Sequence, residues 1–267
     1  MHCDEMVWTP ATGWQGGAPF GAAAGVVLYF GRRDLLADGA CHRELQARHP
    51  GALVLGCSTG GQIRGEEVED DGVAALALAF RATRLHLAVE RDCAPSRSHA
   101  CGTALGRALA APGLAGVFVL ADGLRVNGSA LAEGLAAALG PGVPVTGGLA
   151  GDGPHFGATL VGAGAHMPQQ RLVAALGLYG DALRLGHGSA GGWEAFGPAR
   201  RVTWSAGNVL RELDGAPALD LYERYLGRKP PAFPAPGCST RCGSGTPAGR
   251  TMTWSARCSA STARRAA

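Results

Sequence analysis

The chain lacks the sequence marks of several common protein classes. No apolar run reaches the roughly 18 residues that a membrane span needs. Asp4 and Glu5 stand early in the chain, where a secretory leader would carry a basic start. There is no Gly-Lys-Ser or Gly-Lys-Thr phosphate loop and no Cys-x-x-Cys-His motif for covalent haem. We therefore expect a cytoplasmic protein with no membrane span, and the sequence gives little support for nucleotide binding.

The cysteines do not show the spacing of a zinc site or of a small disulfide framework. Cys238 and Cys242 are four residues apart, but no His or Cys pair is positioned to complete a zinc site. Reduced thiols are the simplest expectation for a cytoplasmic chain. The eight cysteines are Cys3, Cys41, Cys57, Cys93, Cys101, Cys238, Cys242 and Cys258.

Lysine is almost absent, and the only one, Lys229, stands at a break in composition. Residues 228–267 carry seven Lys and Arg and no acidic residue, and no Leu, Val or Ile follows Leu226. Such a segment buries too little apolar surface to offset its ordering entropy, so we expect a disordered basic tail. A frameshifted remnant of a longer protein and a nucleic-acid-binding arm are the alternatives. Residues 1–227 are mildly acidic, which argues against a nucleic-acid surface there.

Glycine is abundant, with 43 residues, and two glycine-rich loops follow the same kind of short apolar strand. Leu53–Gly56 runs into Cys57-Ser58-Thr59-Gly60, and Val143–Thr146 runs into Gly147-Gly148 and on to Asp152. Free N–H groups, hydroxyls and a thiol at the end of a strand often form a small-molecule pocket. The alternative is a pair of tight structural turns. Because the two loops match, we favour a shared site.

The order of apolar patterns predicts an α+β fold, with mixed sheets flanked by helices. Strand, helix and strand patterns at 25–30, 35–48 and 53–56 form a β-α-β unit, which implies parallel strands. Two adjacent strand patterns, 73–80 and 84–90, predict an antiparallel hairpin. N-terminal β-α-β units are thus followed by a strand-rich segment that begins near residue 156.

Further elements follow from periodicity and from capping residues. Asn127 and Ser129 are both candidates for the start of a helix, and Gly180-Asp181 is a candidate hairpin turn. The other predicted helices are 99–110, 130–139 and 216–226, and the other predicted strands are 116–120, 143–146, 158–162, 172–179, 182–188, 199–205 and 209–213.

Four motifs, in this order, resemble the FIST sensory domain family, named for F-box and intracellular signal-transduction proteins. They are Leu-Gly-Cys-Ser-Thr-Gly-Gly-Gln-Ile (55–63), Ala-Asp-Gly-Leu-Arg-Val-Asn-Gly (121–128), Thr-Gly-Gly-Leu-Ala-Gly-Asp-Gly (146–153) and the segment from Gly177 to Trp193. The resemblance implies a FIST N-terminal-like module at 20–195. It also implies the start of a truncated FIST C-terminal-like module at 196–227, followed by the tail at 228–267.

The resemblance also implies a function. Such a module is a cytoplasmic signalling input domain that binds a small ligand, with an amino acid or related metabolite proposed, and has no shared enzymatic activity. Its output passes to a separate protein such as a histidine kinase or chemoreceptor. The alternatives are a haem-binding nitric-oxide sensor beside a histidine kinase, with His155 and His187 as weak haem-ligand candidates, and a Cys57-dependent hydrolase. A non-functional truncation also stays open.

The candidate ligand contacts lie at the ends of the predicted strands. Asp122 and Asp152 are each suited to pair with a ligand's ammonium group, or to cap an Asx turn. A nucleophilic Cys57 would need a base, and none lies near it in sequence. We expect no catalytic residue and no metal site, and we expect Trp193 to be a core anchor. The ligand candidates are Cys57, Ser58, Thr59, Gly60, Asp122, Asn127, Gly147, Gly148 and Asp152.

Overall fold

The structure is a computed structural model, and it describes residues 1–17, 24–186, 188, 195–206, 209–226, 238–244 and 251–258. The chain divides into two compact units, Met1–His187 and Gly188–Ala267. The predicted α+β class is confirmed, because several mixed sheets are combined with helices.

The elements below are numbered in chain order. The helices are α1 (Arg33–Leu36), α2 (Ala40–Arg48), α3 (Ser98–Leu109), α4 (Gly128–Leu139) and α5 (Ala218–Leu226). The strands are β1 (His2–Thr9), β2 (Gly13–Gly16), β3 (Val26–Gly31), β4 (Leu53–Ser58), β5 (Gln62–Arg64), β6 (Glu67–Glu69), β7 (Val73–Ala79), β8 (Arg84–Glu90), β9 (Leu114–Ala121), β10 (Val145–Leu149), β11 (Val161–Ala163), β12 (His166–Gln169), β13 (Val173–Tyr179), β14 (Ala195–Ala206), β15 (Val209–Leu213), β16 (Ala216–Pro217), β17 (Cys238–Ser244) and β18 (Thr251–Cys258).

The first unit contains a seven-stranded sheet in the order β12-β11-β4-β3-β7-β1-β2. Strands β3 and β4 are parallel, so the predicted β-α-β unit is confirmed. The connection consists of α1 and α2 rather than the single predicted helix. The chain breaks between them at Gly39, whose φ of +71° favours glycine.

A second sheet in the same unit has the order β10-β9-β13-β8. Strands β9 and β10 are parallel and are joined through α4, which gives a second β-α-β unit. Each glycine loop therefore follows the second parallel strand of its own β-α-β unit.

Alternating side chains on the strands place both sheets in one layered core. On β3, Val27 and Tyr29 pack with Leu45 of α2, whereas Val26 belongs to a buried cluster shared with the second sheet. On β13, Ala174 and its alternate neighbours join that shared cluster, while the opposite face packs against α3 and α4. The sheets thus pack against each other, with α2 on one outer face and α3 and α4 on the other.

The predicted hairpin of 73–80 with 84–90 is wrong. Strand β7 pairs with β1 and β3 in the first sheet, whereas β8 pairs with β13 in the second. Strands β1 and β2 were not predicted from the sequence, and β3, the other neighbour of β7, was predicted only as part of the β-α-β unit. Residues 81–83 connect the two sheets instead of turning within one.

Two later predictions also fail. Residues 182–186, which open the predicted strand 182–188, form a turn and irregular chain, so Gly180-Asp181 does not begin a hairpin. Helix α4 is capped by Asn127, whose Oδ1 accepts a hydrogen bond from the Ala130 N–H at 3.2 Å. Ser129 lies inside the helix and is not the cap.

The second unit contains β14 to β18 and α5, with a sheet in the order β16-β15-β14-β18-β17. Leu213 and Ala218 form its small buried cluster, beside Val202, Leu210 and Leu221. Strands β17 and β18 pair within the segment for which a tail was predicted. Residues 228–237, 245–250 and 259–267 lie outside the described residues. The domain boundaries given above stay predictions.

Cys93 and Cys101 form a disulfide, so the expectation of reduced thiols is wrong for this pair. The first turn of α3 brings Cys101 back towards the loop after β8, with 6.4 Å between the two Cα atoms. Cys3, Cys41 and Cys57 are free thiols. In the part of the chain that the structure describes, no helix is long and apolar enough to cross a membrane.

Candidate functional site

The two glycine loops meet and are joined by hydrogen bonds. The Gly151 N–H donates to the Ser58 carbonyl at 2.8 Å, and the Ser58 hydroxyl donates to the Gly151 carbonyl at 2.8 Å. Ser58 Oγ also accepts from the Leu160 N–H at 2.9 Å. A fully buried hydroxyl thus holds the end of β4 against the loop that follows β10.

Glycine is required where the loops touch. A Cβ at Gly151 would lie 3.0 Å from the Gly60 nitrogen, and a Cβ at Gly60 would lie 3.3 Å from the Gly153 Cα. Larger residues would force the loops apart, so the glycine-rich composition permits their close approach.

Between the loops lies a cleft of about 300 Å³, which we call the loop cleft. Its walls come from the turn after β3, the loop after β4, the segment after β6 and the loop after β10. The lining residues are Arg32, Arg33, Asp34, Thr59, Gly60, Gly61, Gln62, Asp70, Asp152, Gly153, Pro154 and His155.

A buried carboxylate positions Arg33 at the cleft. Arg33 Nε donates to Asp152 Oδ1 at 2.6 Å, and Asp152 Oδ2 accepts from the Gly157 and Ala158 N–H groups at 2.8 and 3.1 Å. Burial alone would raise the pKa of Asp152, but the Ala158 N–H and the Arg33 guanidinium together hold it below its usual range. Asp152 therefore stays ionised, and both of its oxygens are occupied.

Several polar groups at the cleft have no partner within the described part of the chain. Only Nε of the Arg33 guanidinium makes a hydrogen bond there, and the N–H groups of Gly60 and Gly61 have no acceptor. On the other side, the Asp70 carboxylate makes no hydrogen bond or salt bridge with any described residue. The loop cleft thus offers donors and an acceptor to a ligand.

The neighbouring Arg32 is neutralised by its own contacts. Its Nε and Nη2 donate to the two Asp34 oxygens at 2.6 and 2.9 Å, and its Nη1 donates to Asp71 at 3.0 Å. The Arg32 hydrogen bond lowers the pKa of Asp34. Of the two arginines at the cleft, Arg33 is therefore the one whose terminal N–H groups have no acceptor in the described part of the chain.

Of the nine candidate residues, the structure places Thr59, Gly60 and Asp152 on the loop cleft. Cys57 and Ser58 are buried behind it, and burial raises the pKa of the Cys57 thiol to about 12. Such a thiol stays protonated, which disfavours a Cys57 nucleophile.

Asp122 is buried within the fold, away from the cleft lining. It accepts hydrogen bonds from the N–H groups of Leu124, Arg125 and Arg171, at 2.9, 3.1 and 2.6 Å, and from the Thr159 hydroxyl. Its carboxylate therefore connects three chain segments, and both of its oxygens already accept hydrogen bonds.

The other three candidates also have structural contacts and do not line the cleft. Asn127 caps α4, as described above. Gly147 has a φ of +144°, and a Cβ there would lie 1.8 Å from the Val119 carbonyl of the neighbouring strand. Gly148 follows it within β10.

The residues at His155 do not fit a haem. His155 is exposed, and the walls beside it are glycines and polar or charged side chains, with Pro154 as the apolar exception. A haem needs apolar walls around its ring. His187 and Trp193 lie outside the described residues. No cluster of three metal-binding side chains occurs among the residues that the structure describes.

Arg33 and Asp70 carry polar groups of the cleft that are unpaired among the described residues, and neither was among the candidates predicted from the sequence. Arg33 follows β3 directly, and β3 lies parallel to β4, so both strands end at the same edge of the sheet. Ligands of α/β folds often bind at such an edge, so the Arg32-Arg33-Asp34 run after a buried strand was the available signal.

A family model described as the FIST N domain matches residues 25–216. The match contains both β-α-β units and every residue that lines the loop cleft. No curated protein matches the chain.

Proposed function

Because this chain belongs to the FIST family of sensory, non-catalytic domains, which are associated with signal transduction and small-ligand binding, we propose that the loop cleft is its ligand site. The ligand is an amino acid or a related metabolite. The single observation that carries this proposal is the Arg33 guanidinium, anchored by Asp152 and lacking other partners in the described chain.

A carboxylate is the natural partner of that guanidinium. Arg presents a planar fork that binds carboxylates through two parallel hydrogen bonds. Asp152 holds the Nε edge, which leaves the two terminal nitrogens for a ligand. The free N–H groups of Gly60 and Gly61 border the same cleft and add uncharged donors.

An ammonium group suits the Asp70 side of the cleft. Among the described carboxylates of the cleft, Asp70 is exposed and has no hydrogen-bonded partner, whereas Asp34 and Asp152 are held by arginines. A ligand with one carboxylate and one ammonium group would pair the first with Arg33 and the second with Asp70. No large aliphatic side chain and no Phe, Tyr or Trp is among the described lining residues, which favours a small or polar side chain on that ligand.

A thermal-shift screen of amino acids and related metabolites tests the proposal on the full chain. A ligand at 100 times its dissociation constant stabilises the folded state by about 2.7 kcal/mol. Arg33→Gln should abolish the shift and Asp152→Asn should weaken it, whereas Arg107→Gln, an exposed site on α3, should leave it unchanged. Unchanged melting temperatures across the panel, or equal shifts in the Arg33 and Arg107 variants, would contradict the proposal.

The wider biological setting is also a proposal. We place the protein in the cytoplasm, where a separate signalling protein such as a histidine kinase or chemoreceptor reads the ligand-bound state. The association of FIST domains with signal transduction supports this assignment. Co-purification of such a kinase or receptor with the tagged chain, altered by the ligand, is the measurement that tests it.

A further inference from the structure

A short β-ribbon projects next to the loop cleft. It consists of β5 and β6, which pair antiparallel with Ile63 opposite Val68 and Arg64 opposite Glu67. In the described part of the chain neither strand pairs with a third strand, so the outer edge of β6 has no strand partner. Open edges present unpaired N–H and C=O groups that can accept another strand.

The ribbon carries an exposed apolar pair. Ile63 is 78% exposed and Val68 is 69% exposed, and as directly opposed residues they share one face of the ribbon. Two β-branched side chains side by side in water form a suitable contact for a partner.

The surroundings of that pair are strongly acidic. The ribbon and the residues just after it contain one basic residue, Arg64, which is paired with Glu69. The acidic residues of this segment are Glu66, Glu67, Glu69, Asp70 and Asp71, of which Asp71 is paired with Arg32. Such a surface repels nucleic acids and anionic membranes, and it would repel a second copy of itself.

The ribbon is also one wall of the loop cleft. Gly61, Gln62 and Asp70 belong both to its base and to the lining of the cleft. Gln62 is buried, and its Nε2 donates to the Gly72 carbonyl, which fixes the base of the ribbon. The ribbon and the loop cleft therefore share these residues.

We propose that the β5–β6 ribbon is a docking surface for an extended, basic protein segment that adds a strand along β6. The alternation of β6 defines the partner: an apolar side chain next to Val68, flanked by Lys or Arg on the side of Glu67. Glu69 lies on the same face as Glu67 and already pairs with Arg64. This docking surface does not depend on the proposed function of the cleft.

A synthetic strand tests the surface directly. The probe is a fluorescent, end-blocked Lys-Val-Lys-Val-Lys-Thr peptide, and its counterpart carries Glu in place of each Lys. Anisotropy with the full chain should show binding of the Lys peptide, no binding of the Glu peptide, and weaker binding as salt is raised. Glu67→Lys should weaken the Lys peptide by about tenfold, because an attraction becomes a repulsion.

Matched variants separate the possible outcomes. Glu133→Lys, an exposed site on α4, should bind the Lys peptide like the unchanged chain, and Ile63→Ser should weaken it. No binding, equal losses in the Glu67 and Glu133 variants, or a dimer of the chain that Ile63→Ser dissolves would each overturn the proposal. If Glu67→Lys loses the peptide but keeps the thermal shift by a cleft ligand, docking and ligand binding are separate properties.

Discussion

Ser58 and Gly151 join the two glycine loops through two hydrogen bonds, each 2.8 Å long. One uses the backbone of both residues, and the other uses the buried Ser58 hydroxyl. The loop cleft exists because this pair holds the end of β4 against the segment that follows β10.

Ser58→Ala should therefore destabilise the protein. The change leaves the half-buried Gly151 carbonyl and the buried Leu160 N–H without their hydroxyl partner, which costs about 1–3 kcal/mol in the free energy of unfolding. Urea unfolding of the full chain measures the loss. Ser129→Ala, at an exposed position of α4, is the control and should change stability by less than about 0.5 kcal/mol. Equal effects would show that the hydroxyl does not hold the loops together.

Gly134→Ala should separate the helices α3 and α4. A Cβ at Gly134 would lie 2.1 Å from the His99 carbonyl, and a Cβ at Gly102 would lie 2.2 Å from the Leu131 carbonyl. Because the clashing atoms belong to the backbone, the helices themselves would have to move, and we expect a loss of about 1–3 kcal/mol in unfolding free energy. Gly142→Ala is the matched control, since nothing lies within 4 Å of its Cβ position. A Gly134 variant as stable as the Gly142 variant would contradict this helix packing.

The protonation of His42 should make stability depend on pH. His42 Nε2 donates to the Gly164 carbonyl at 2.8 Å, so its Nδ1 accepts from the Tyr29 hydroxyl at 2.9 Å. Burial lowers the pKa of His42, and the folded protein therefore takes up this proton less readily than the unfolded chain. The stability that neutral His42 contributes is complete above about pH 6.5 and is lost as the pH falls below that value.

Unfolding free energies measured between pH 5 and pH 7.5 check this sign. His42→Gln should flatten the rise of stability with pH. His49→Gln is the comparison, because burial also lowers the pKa of His49. This variant should remove only the part of the pH dependence that comes from His49 and keep the part that comes from His42. A slope that is unchanged in His42→Gln would assign the pH dependence to other groups.

The free cysteines should differ sharply in reactivity. Burial raises the pKa values of Cys41 and Cys57 to about 12, whereas Cys3 is exposed. Iodoacetamide on the native chain should therefore modify Cys3 and spare Cys41 and Cys57. Peptide mapping by mass spectrometry resolves the three sites, and labelling in urea confirms that each one can react. Preferential native labelling of Cys57 would revive the hydrolase alternative.

The disulfide between Cys93 and Cys101 should contribute to stability. In a loop-closure model a bridge of this short span stabilises by about 2–3 kcal/mol. The double variant Cys93→Ala, Cys101→Ala should lower the urea midpoint. Cys3→Ala, at an exposed free thiol, should not. A double variant as stable as the unchanged chain would show that the bridge does not support the fold.

Local patterns in the sequence are sufficient to predict the strands and helices of the two β-α-β units and the glycine loops that follow them. Strand β3 carries an apolar run followed by polar residues, and β4 is followed by Ser58, Thr59 and Gly60. These are local patterns, and local periodicity is enough to identify them. The family resemblance was equally local, since it rested on short motifs in order.

Which strands are neighbours and which polar groups are free depend on the three-dimensional fold. Strand β7 pairs with β1 rather than β8, because pairing depends on distant strands that a local pattern does not reveal. Asp122 and Asp152 look alike in sequence, yet Asp122 ties loops together in the interior and Asp152 holds Arg33 at the cleft. A residue's role in binding depends on which of its hydrogen-bonding groups the fold has already occupied, and that is a property of the folded chain.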